Sequence, residues 1–375
     1  MIYLDNAATT YPKPPAVLRA VSGSVSAANP GRGGHDLALR AAESVYKCRV
    51  KTAKFLGLSD PRNIIFTSGC TMSVNMVIKG LLKSGDHVVV SDMEHNAVMR
   101  PLSAMSKLGV SWTAASVGEN DEETLANFRN ALNEKTRLVI CTQISNVWGI
   151  RLPVERITAM CHEYGIPVMI DAAQSAGVVK INMTESGFDY VCIPAHKGLY
   201  GAMGTGVLSV RDPKRLSSVI QGGTGSDSLL LDQPDYAPDK FESGTPNFIG
   251  ISALSAGIDF VRSIGEDKIR RHEIDLLDAL YGSLSRNPRI ILYTPRPGDR
   301  SGGVLSFNVK EKSSEETAAY LNSRGIAVRA GLHCAPMAHK HFGTENIGAV
   351  RVAPSYFSSR KDIFTLNSVL SAYTK

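Results

Sequence analysis

An aspartate and a lysine at the ends of two successive apolar runs are the first sign of chemistry in this chain. The run 167–170 ends in Asp171-Ala172-Ala173-Gln174. Twenty-six residues after Asp171, past a second apolar run, comes Ile193-Pro194-Ala195-His196-Lys197-Gly198. A carboxylate on a buried strand end is costly unless a cation meets it. A buried lysine loses proton affinity and becomes an amine nucleophile. The two suit a pyridoxal phosphate (PLP) site, where an aspartate holds the ring nitrogen and a lysine carries the cofactor. A plain buried ion pair between them fits equally well, but leaves the features described next unexplained.

Three further strand ends carry polar groups. Ile64–Thr67 runs into Ser68-Gly69-Cys70-Thr71 at the start of a helix. Free N–H groups and the helix dipole suit a phosphate there, and an ordinary N-cap by Ser68 or Thr71 is the alternative. His95, in Ser91-Asp92-Met93-Glu94-His95-Asn96, could stack on a flat cofactor or be structural. Asn146, within 144–149, could reach a ligand carboxylate or cap its turn.

The last constellation is Arg329-Ala330-Gly331-Leu332-His333-Cys334-Ala335-Pro336. A loop bounded by glycine and proline exposes its thiol, and His333 and Arg329 are expected to lower the pKa of Cys334 from about 8.5. Seventeen residues on, Arg351 is a natural bidentate partner for a substrate carboxylate. An inconsequential loop thiol and a surface arginine are the alternatives.

These residues need a layer of parallel strands, because ligands gather at carboxyl ends in such sheets. Strands are expected at 64–67, 87–91, 137–142, 167–171, 189–193 and 205–210, with helices at 72–82, 122–132 and 154–163 between several of them. Such alternation predicts an α/β layer with a largely parallel sheet. A Gly- and Pro-rich stretch follows at 221–247, then a long helical region, 248–285. Strands at 304–309, 326–329 and 349–352 and helices at 315–322 and 361–373 form a smaller α+β unit. The expected division is a large domain over 15–250 and a small domain made of 1–14 and 251–375.

Composition sets outer bounds. The chain has 375 residues, 43% hydrophobic and 20% charged, with a formal net charge of +6. It can bury a sizeable core, and it is not a disordered chain. No apolar run approaches the ~18 residues of a membrane span. The opening segment carries Asp5 and two prolines instead of an apolar signal stretch, so a soluble, cytoplasmic protein is expected. The positive charge is not gathered into runs, which argues against nucleic acid and suits small anions. Six cysteines lie without a C-x-x-C pair, so a disulfide framework is not expected. A metal site is not expected either: only His333-Cys334 with His339 and His341 approaches a ligand cluster.

Together the motifs resemble the cysteine desulfurases, PLP enzymes of the class V aminotransferase family with the aspartate-aminotransferase architecture. The resemblance runs through Y-L-D-N-A-A-T-T-Y-P-K-P (3–14), N-P-G-R-G-G-H (29–35), S-G-C-T (68–71), E-H-N (94–96), S-N-V-W-G (145–149), D-A-A-Q (171–174), H-K-G-L-Y-G (196–201), E-S-G-T-P-N (242–247), R-A-G-L-H-C-A-P (329–336) and V-R-V (350–352). Ten motifs in the right order are specific where any one is weak.

The resemblance implies roles. Lys197 would be joined to the cofactor and Asp171 would pair with its ring nitrogen. His95 would stack on the ring and Gln174 would bond its phenolic oxygen. Thr71, His196 and the backbone at Cys70 would hold the phosphate, with Thr224 reaching it from the partner subunit of a homodimer. Asn146 and Arg351 would clamp the substrate carboxylate. L-cysteine would become L-alanine, with a persulfide on Cys334 for an acceptor protein or small thiol. The short spacing from Cys334 to Arg351 resembles the branch with a compact cysteine loop. Selenocysteine lyase is an alternative on the same core, as are another class V outcome (aminotransferase or epimerase) and a sulfur carrier with weakened turnover. One departure stands out. The family places Ser or Thr, then Gly, where this chain has Pro194-Ala195, and proline offers neither hydroxyl nor N–H.

Overall fold

The computed structural model describes residues 1–30 and 34–375. Part of the N-P-G-R-G-G-H motif, residues 31–33, lies outside them. The strands are β1 (Ile2–Tyr3), β2 (Ile64–Thr67), β3 (His87–Ser91), β4 (Ser111–Ala115), β5 (Thr136–Thr142), β6 (Val168–Asp171), β7 (Tyr190–Pro194), β8 (Gly206–Val210), β9 (Ile290–Leu292), β10 (Leu305–Val309), β11 (Ile326–Ala327) and β12 (Val350–Val352).

Seven strands form the large sheet in the order β2-β8-β7-β6-β5-β3-β4. Only β8 runs antiparallel to its neighbours β2 and β7, so the sheet is mixed but mostly parallel. Its central strands are buried along their whole length, as in His87–Ser91 and Val168–Asp171. Strands covered on both faces need continuous apolar runs, which is why they were readable in the sequence. Edge strand β4 was not predicted, because Ser111, Trp112 and Thr113 face solvent and leave no apolar run. The helix Asn96–Ser106 was also missed; it carries Pro101 in its interior, where proline normally argues against a helix.

The smaller unit is a three-stranded antiparallel sheet, β12-β10-β9, beside a parallel pair of β1 and β11. Leu276, Leu280, Phe307, Val350 and Leu366 share its core. The N-terminal segment is thus built into this unit, with Leu4 donating to the Ala327 carbonyl at 2.9 Å. The expected boundary at 250 meets a different packing. Ile251, Leu254, Ile258 and Val261 of the helix Phe248–Ile264 lie in the core of the large sheet. That helix therefore goes with the large layer, and the helix Glu266–Leu284 begins the small one. No single helix among the described residues is long and apolar enough to cross a membrane.

Candidate active site

Five strands that share one direction, β2, β3, β5, β6 and β7, end around a single cavity of about 290 Å³. Its wall includes Cys70, Thr71, His95, Asn146, Asp171, Gln174, Pro194, His196 and Lys197. Residues up to 129 positions apart, Ser68 and Lys197, thus meet because each lies at or just past the carboxyl end of a strand.

The turn after β2 offers an anion site. The helix Cys70–Leu81 is capped by Gly69, with φ 152°, and has no side-chain cap, so neither Ser68 nor Thr71 caps it. The N–H groups of Cys70 and Thr71 have no partner among the described residues, nor do the hydroxyls of Ser68 and Thr71. The turn is pressed against β8: a Cβ on Gly206 would lie 2.6 Å from the Gly69 carbonyl carbon. His196 faces the same cavity, and its Nδ1 is buried without a partner. Burial, with Lys197 and Lys13 nearby, lowers its pKa to about 4.

Asp171 is buried, and its Oδ1 accepts from the Ala173 N–H at 2.9 Å and the Cys70 thiol at 3.5 Å. Oδ2 has no partner among the described residues. No ion pair within 4 Å joins Asp171 to Lys197 among the described residues, so the plain salt bridge is not what is observed. Burial pushes the Lys197 ammonium below its ordinary pKa, partly opposed by the Asp171 charge. His95 caps the helix Asn96–Ser106 by accepting the Ala97 N–H at Nδ1, 2.9 Å away, and also lines the cavity. Burial holds its pKa at about 4, so the ring is neutral with Nε2 carrying the proton. Gln174 donates one amide hydrogen to the Ala7 carbonyl at 3.0 Å and has a second to give.

These groups fit PLP. Unpaired N–H groups, hydroxyls and a buried imidazole nitrogen suit a phosphate, a free carboxylate oxygen suits a ring nitrogen, and an amine of lowered basicity lines the same cavity. The departure at Pro194 stands: it lines the cavity, and the Ala195 N–H is spent on the Thr205 carbonyl at 3.0 Å.

The other site residues lie as follows. Thr224 does not line this cavity; it lies on a neighbouring one of about 470 Å³, which shares Ser68 and Met72, and its Oγ1 is 2.9 Å from the Ser226 hydroxyl. Arg351 is no surface residue, being 1% exposed, nor does it line the cavity. It donates from Nη2 to Asp5 at 2.7 Å and from Nη1 to the Asn146 carbonyl at 3.0 Å, leaving Nε buried and unpartnered. Asn146 pins the cysteine loop through its Nδ2, which donates to the His333 carbonyl at 2.8 Å.

Cys334 is exposed. His333 and Cys334 adopt left-handed φ values of 48° and 58°, a conformation costing on the order of 1–3 kcal/mol each without outside support. His333 is not the charged neighbour of the thiol that was expected. Its ring is buried, donates to the Ala349 carbonyl at 3.0 Å and has a pKa pushed down to about 3, so it is uncharged. Arg329 is the cation beside the thiol, with Nη2 4.0 Å from Sγ. Nor do the neighbouring histidines converge on a metal: His339 bonds Thr344 and His341 pairs with Asp92.

The sequence reading missed two carboxylates, one half-buried and one fully buried. Asp5 holds Arg351 across a separation of 346 residues. Glu94 is fully buried, with Oε1 accepting from Ser91 and from the Thr142 N–H. Both stand inside quoted motifs, but only the fold shows what they touch.

The class-V aminotransferase family model matches residues 2–366. A probable cysteine desulfurase of Methanothermobacter thermautotrophicus is 34% identical over 98% of this chain and 94% of its own. The apo structure of a cysteine desulfurase from Thermococcus onnurineus NA1 superposes with a TM-score of 0.92 at 30% identity, covering 100% of this chain and 94% of that one. The cysteine desulfurase CsdA of Escherichia coli, solved as an S-sulfonic acid, gives 0.88 at 27% identity, covering 99% and 94%. With sequence, fold and cavity in agreement, the chain belongs to the class-V aminotransferases and, within them, to the PLP-dependent cysteine desulfurases.

Proposed function

We propose that Cys334 takes the sulfur of L-cysteine as a persulfide, with the cavity residues acting as follows. Bound PLP supplies an electron sink conjugated to the substrate Cα. Asp171 keeps the ring nitrogen protonated through its free Oδ2. The Lys197 amine would remove the substrate Cα proton, a task its lowered basicity suits. Neutral His95, on the cavity wall, would hold the ring from one side. Asn146, with Arg351 behind it, orients the substrate carboxylate, and the unpartnered Nε of Arg351 is the donor still to be used.

The Cys334 thiolate then attacks the substrate sulfur. The S–S bond forms as the Cβ–S bond breaks, the carbon fragment keeps that electron pair, and protonation gives L-alanine. The enzyme is left as Cys334–S–SH, and no outside oxidant or reductant is needed.

The observation that carries this reading is the position of Cys334. It lines a basin whose other residues include Thr71, His95 and Ala97, and these three also line the cofactor cavity. The working form is a homodimer: Thr224 stands off its own cavity, while Leu229, Leu230 and Leu231 on the same loop are exposed, as surfaces awaiting a second chain are. Six unpaired thiols support a reducing, cytoplasmic setting.

The test is a single-turnover reaction without added thiol. The parent protein should release one equivalent of alanine and carry one sulfur on Cys334, whereas Cys334→Ala should do neither. Equal alanine from the two proteins would overturn the proposal. L-selenocysteine run in parallel reads the chalcogen preference.

A further inference from the structure

Around Cys334 the surface is hollowed into a basin of about 370 Å³ between two helices. Asn75 and Lys79 come from the helix Cys70–Leu81, and Arg100 and Ala104 from the helix Asn96–Ser106. Among the described residues, no aspartate or glutamate lines it. Lys79 and Arg100 are exposed and, among the described residues, neither has an ion-pair or hydrogen-bond partner for its charge. Arg329, beside Cys334 Sγ, is likewise without a carboxylate. Some surface arginines elsewhere are paired, such as Arg62 with Asp60, Arg156 with Glu122 and Arg296 with Asp278. Three uncompensated cations around one thiol form a local positive field. The substrate carboxylate does not account for them, since Asn146 lies on the cofactor side.

We propose that this basin seats the sulfur acceptor, and that the acceptor is a small thiol carrying carboxylates. The inference rests on the persulfide forming at Cys334. An acceptor attacks as its thiolate, so cations draw it in and offset repulsion from the sulfur it approaches. A concave volume of about 370 Å³ sits near the lower end of small-molecule pockets, roughly 300–1,000 Å³, and is small for the flat face of a folded partner. In the transfer, the acceptor thiolate attacks the outer sulfur of Cys334–S–SH. A new S–S bond forms, the bond to Sγ breaks, and Cys334 leaves as thiolate while the persulfide proton stays with the transferred sulfur.

The experiment loads the holoenzyme with L-cysteine and follows discharge of the persulfide by mercaptosuccinate, 2-mercaptoethanol and cysteamine at matched thiolate concentration. The parent is compared with Lys79→Glu/Arg100→Glu. The mercaptosuccinate-to-cysteamine rate ratio should be about tenfold higher in the parent. It should collapse between about 0.01 M and 1 M salt, as the screening length falls from ~30 Å to ~3 Å. A ratio equal in the two proteins, or unmoved by salt, overturns the inference while leaving the desulfurase reading intact. Failure to release one equivalent of alanine on loading overturns that reading itself.

Discussion

The backbone N–H of Asn96 donates to the carbonyl of Cys334 at 2.7 Å. Asn96 begins the helix that His95 caps, so the loop carrying the thiol is bonded to the element that aims the imidazole at the cavity. Asn146 makes the neighbouring tie, to the His333 carbonyl. Two consecutive residues in left-handed conformation are therefore held from two sides. A thiol built into the fold this way needs no long excursion to reach the substrate, which matches the short spacing between Cys334 and Arg351.

Asn146→Ala tests that tie. The buried His333 carbonyl loses its donor, a change costing about 1–3 kcal/mol, and the loop loses one of its anchors. The expected outcome is a lower thermal midpoint together with faster alkylation of Cys334 by iodoacetamide and a reduced kcat. Unchanged alkylation would mean that the remaining contacts, from Asn96 and from Ala349, fix the loop without Asn146.

The sequence exposed those parts of the site that sit at strand ends, because each buried strand announces itself as an apolar run and the polar residue after it is conspicuous. Asp171, Lys197, His95 and Thr71 were legible for that reason. Arg351 was read as the substrate's partner, but its own neighbours were not legible: Asp5 and the Asn146 carbonyl hold two of its nitrogens and leave Nε over. No periodicity connects residues 5 and 351; the pairing follows from β1 joining β11 and from the Asp5–Ala353 bridge. The charge expected on His333 failed similarly, because its proximity to Cys334 in sequence says nothing about burial of the ring.

Pro194→Ser should tighten PLP binding. The cavity wall at this point has no donor, and the adjacent Ala195 N–H is committed to the sheet. Restoring a hydroxyl adds one hydrogen bond to a charged group, about 1.5–3 kcal/mol, or roughly a 10- to 100-fold lower dissociation constant. Titration of the apoprotein with PLP, followed by absorbance, measures it. No gain in affinity would show that another donor already saturates the phosphate.

Gly206→Ala should have the opposite effect. The new methyl would lie 2.6 Å and 2.7 Å from Gly69 backbone atoms and 2.9 Å from the Ile193 carbonyl oxygen. Backbone cannot rotate away as a side-chain tip can, so the cost is about 1–3 kcal/mol of overpacking. The displaced element is the turn whose free N–H groups face the phosphate. PLP affinity should therefore fall more than the chemical-denaturation midpoint does, and comparing the two separates a local shift from general destabilisation.

Glu94 gives a dependence on pH. Burial pushes its pKa up to about 8, against about 4.3 for a glutamate in an unfolded chain. Below the lower value both states are protonated and the site carries no penalty. Between the two values the folded chain holds a proton that the unfolded chain has lost, so stability falls as pH rises, by about 1.4 kcal/mol per unit from this group. The loss levels off once the buried carboxylate itself ionises. Glu266 and Glu273, pushed up to about 7 and about 8, add slopes of the same sign, so the test is the difference between the parent and Glu94→Gln. The glutamine keeps an acceptor for Ser91 and for the Thr142 N–H but cannot ionise. Its unfolding free energy in urea should gain on the parent's steadily from pH 5 to pH 8. Parallel curves over that range would place the charge of Glu94 in the folded protein already at pH 5, with a cation beside it that the fold does not show.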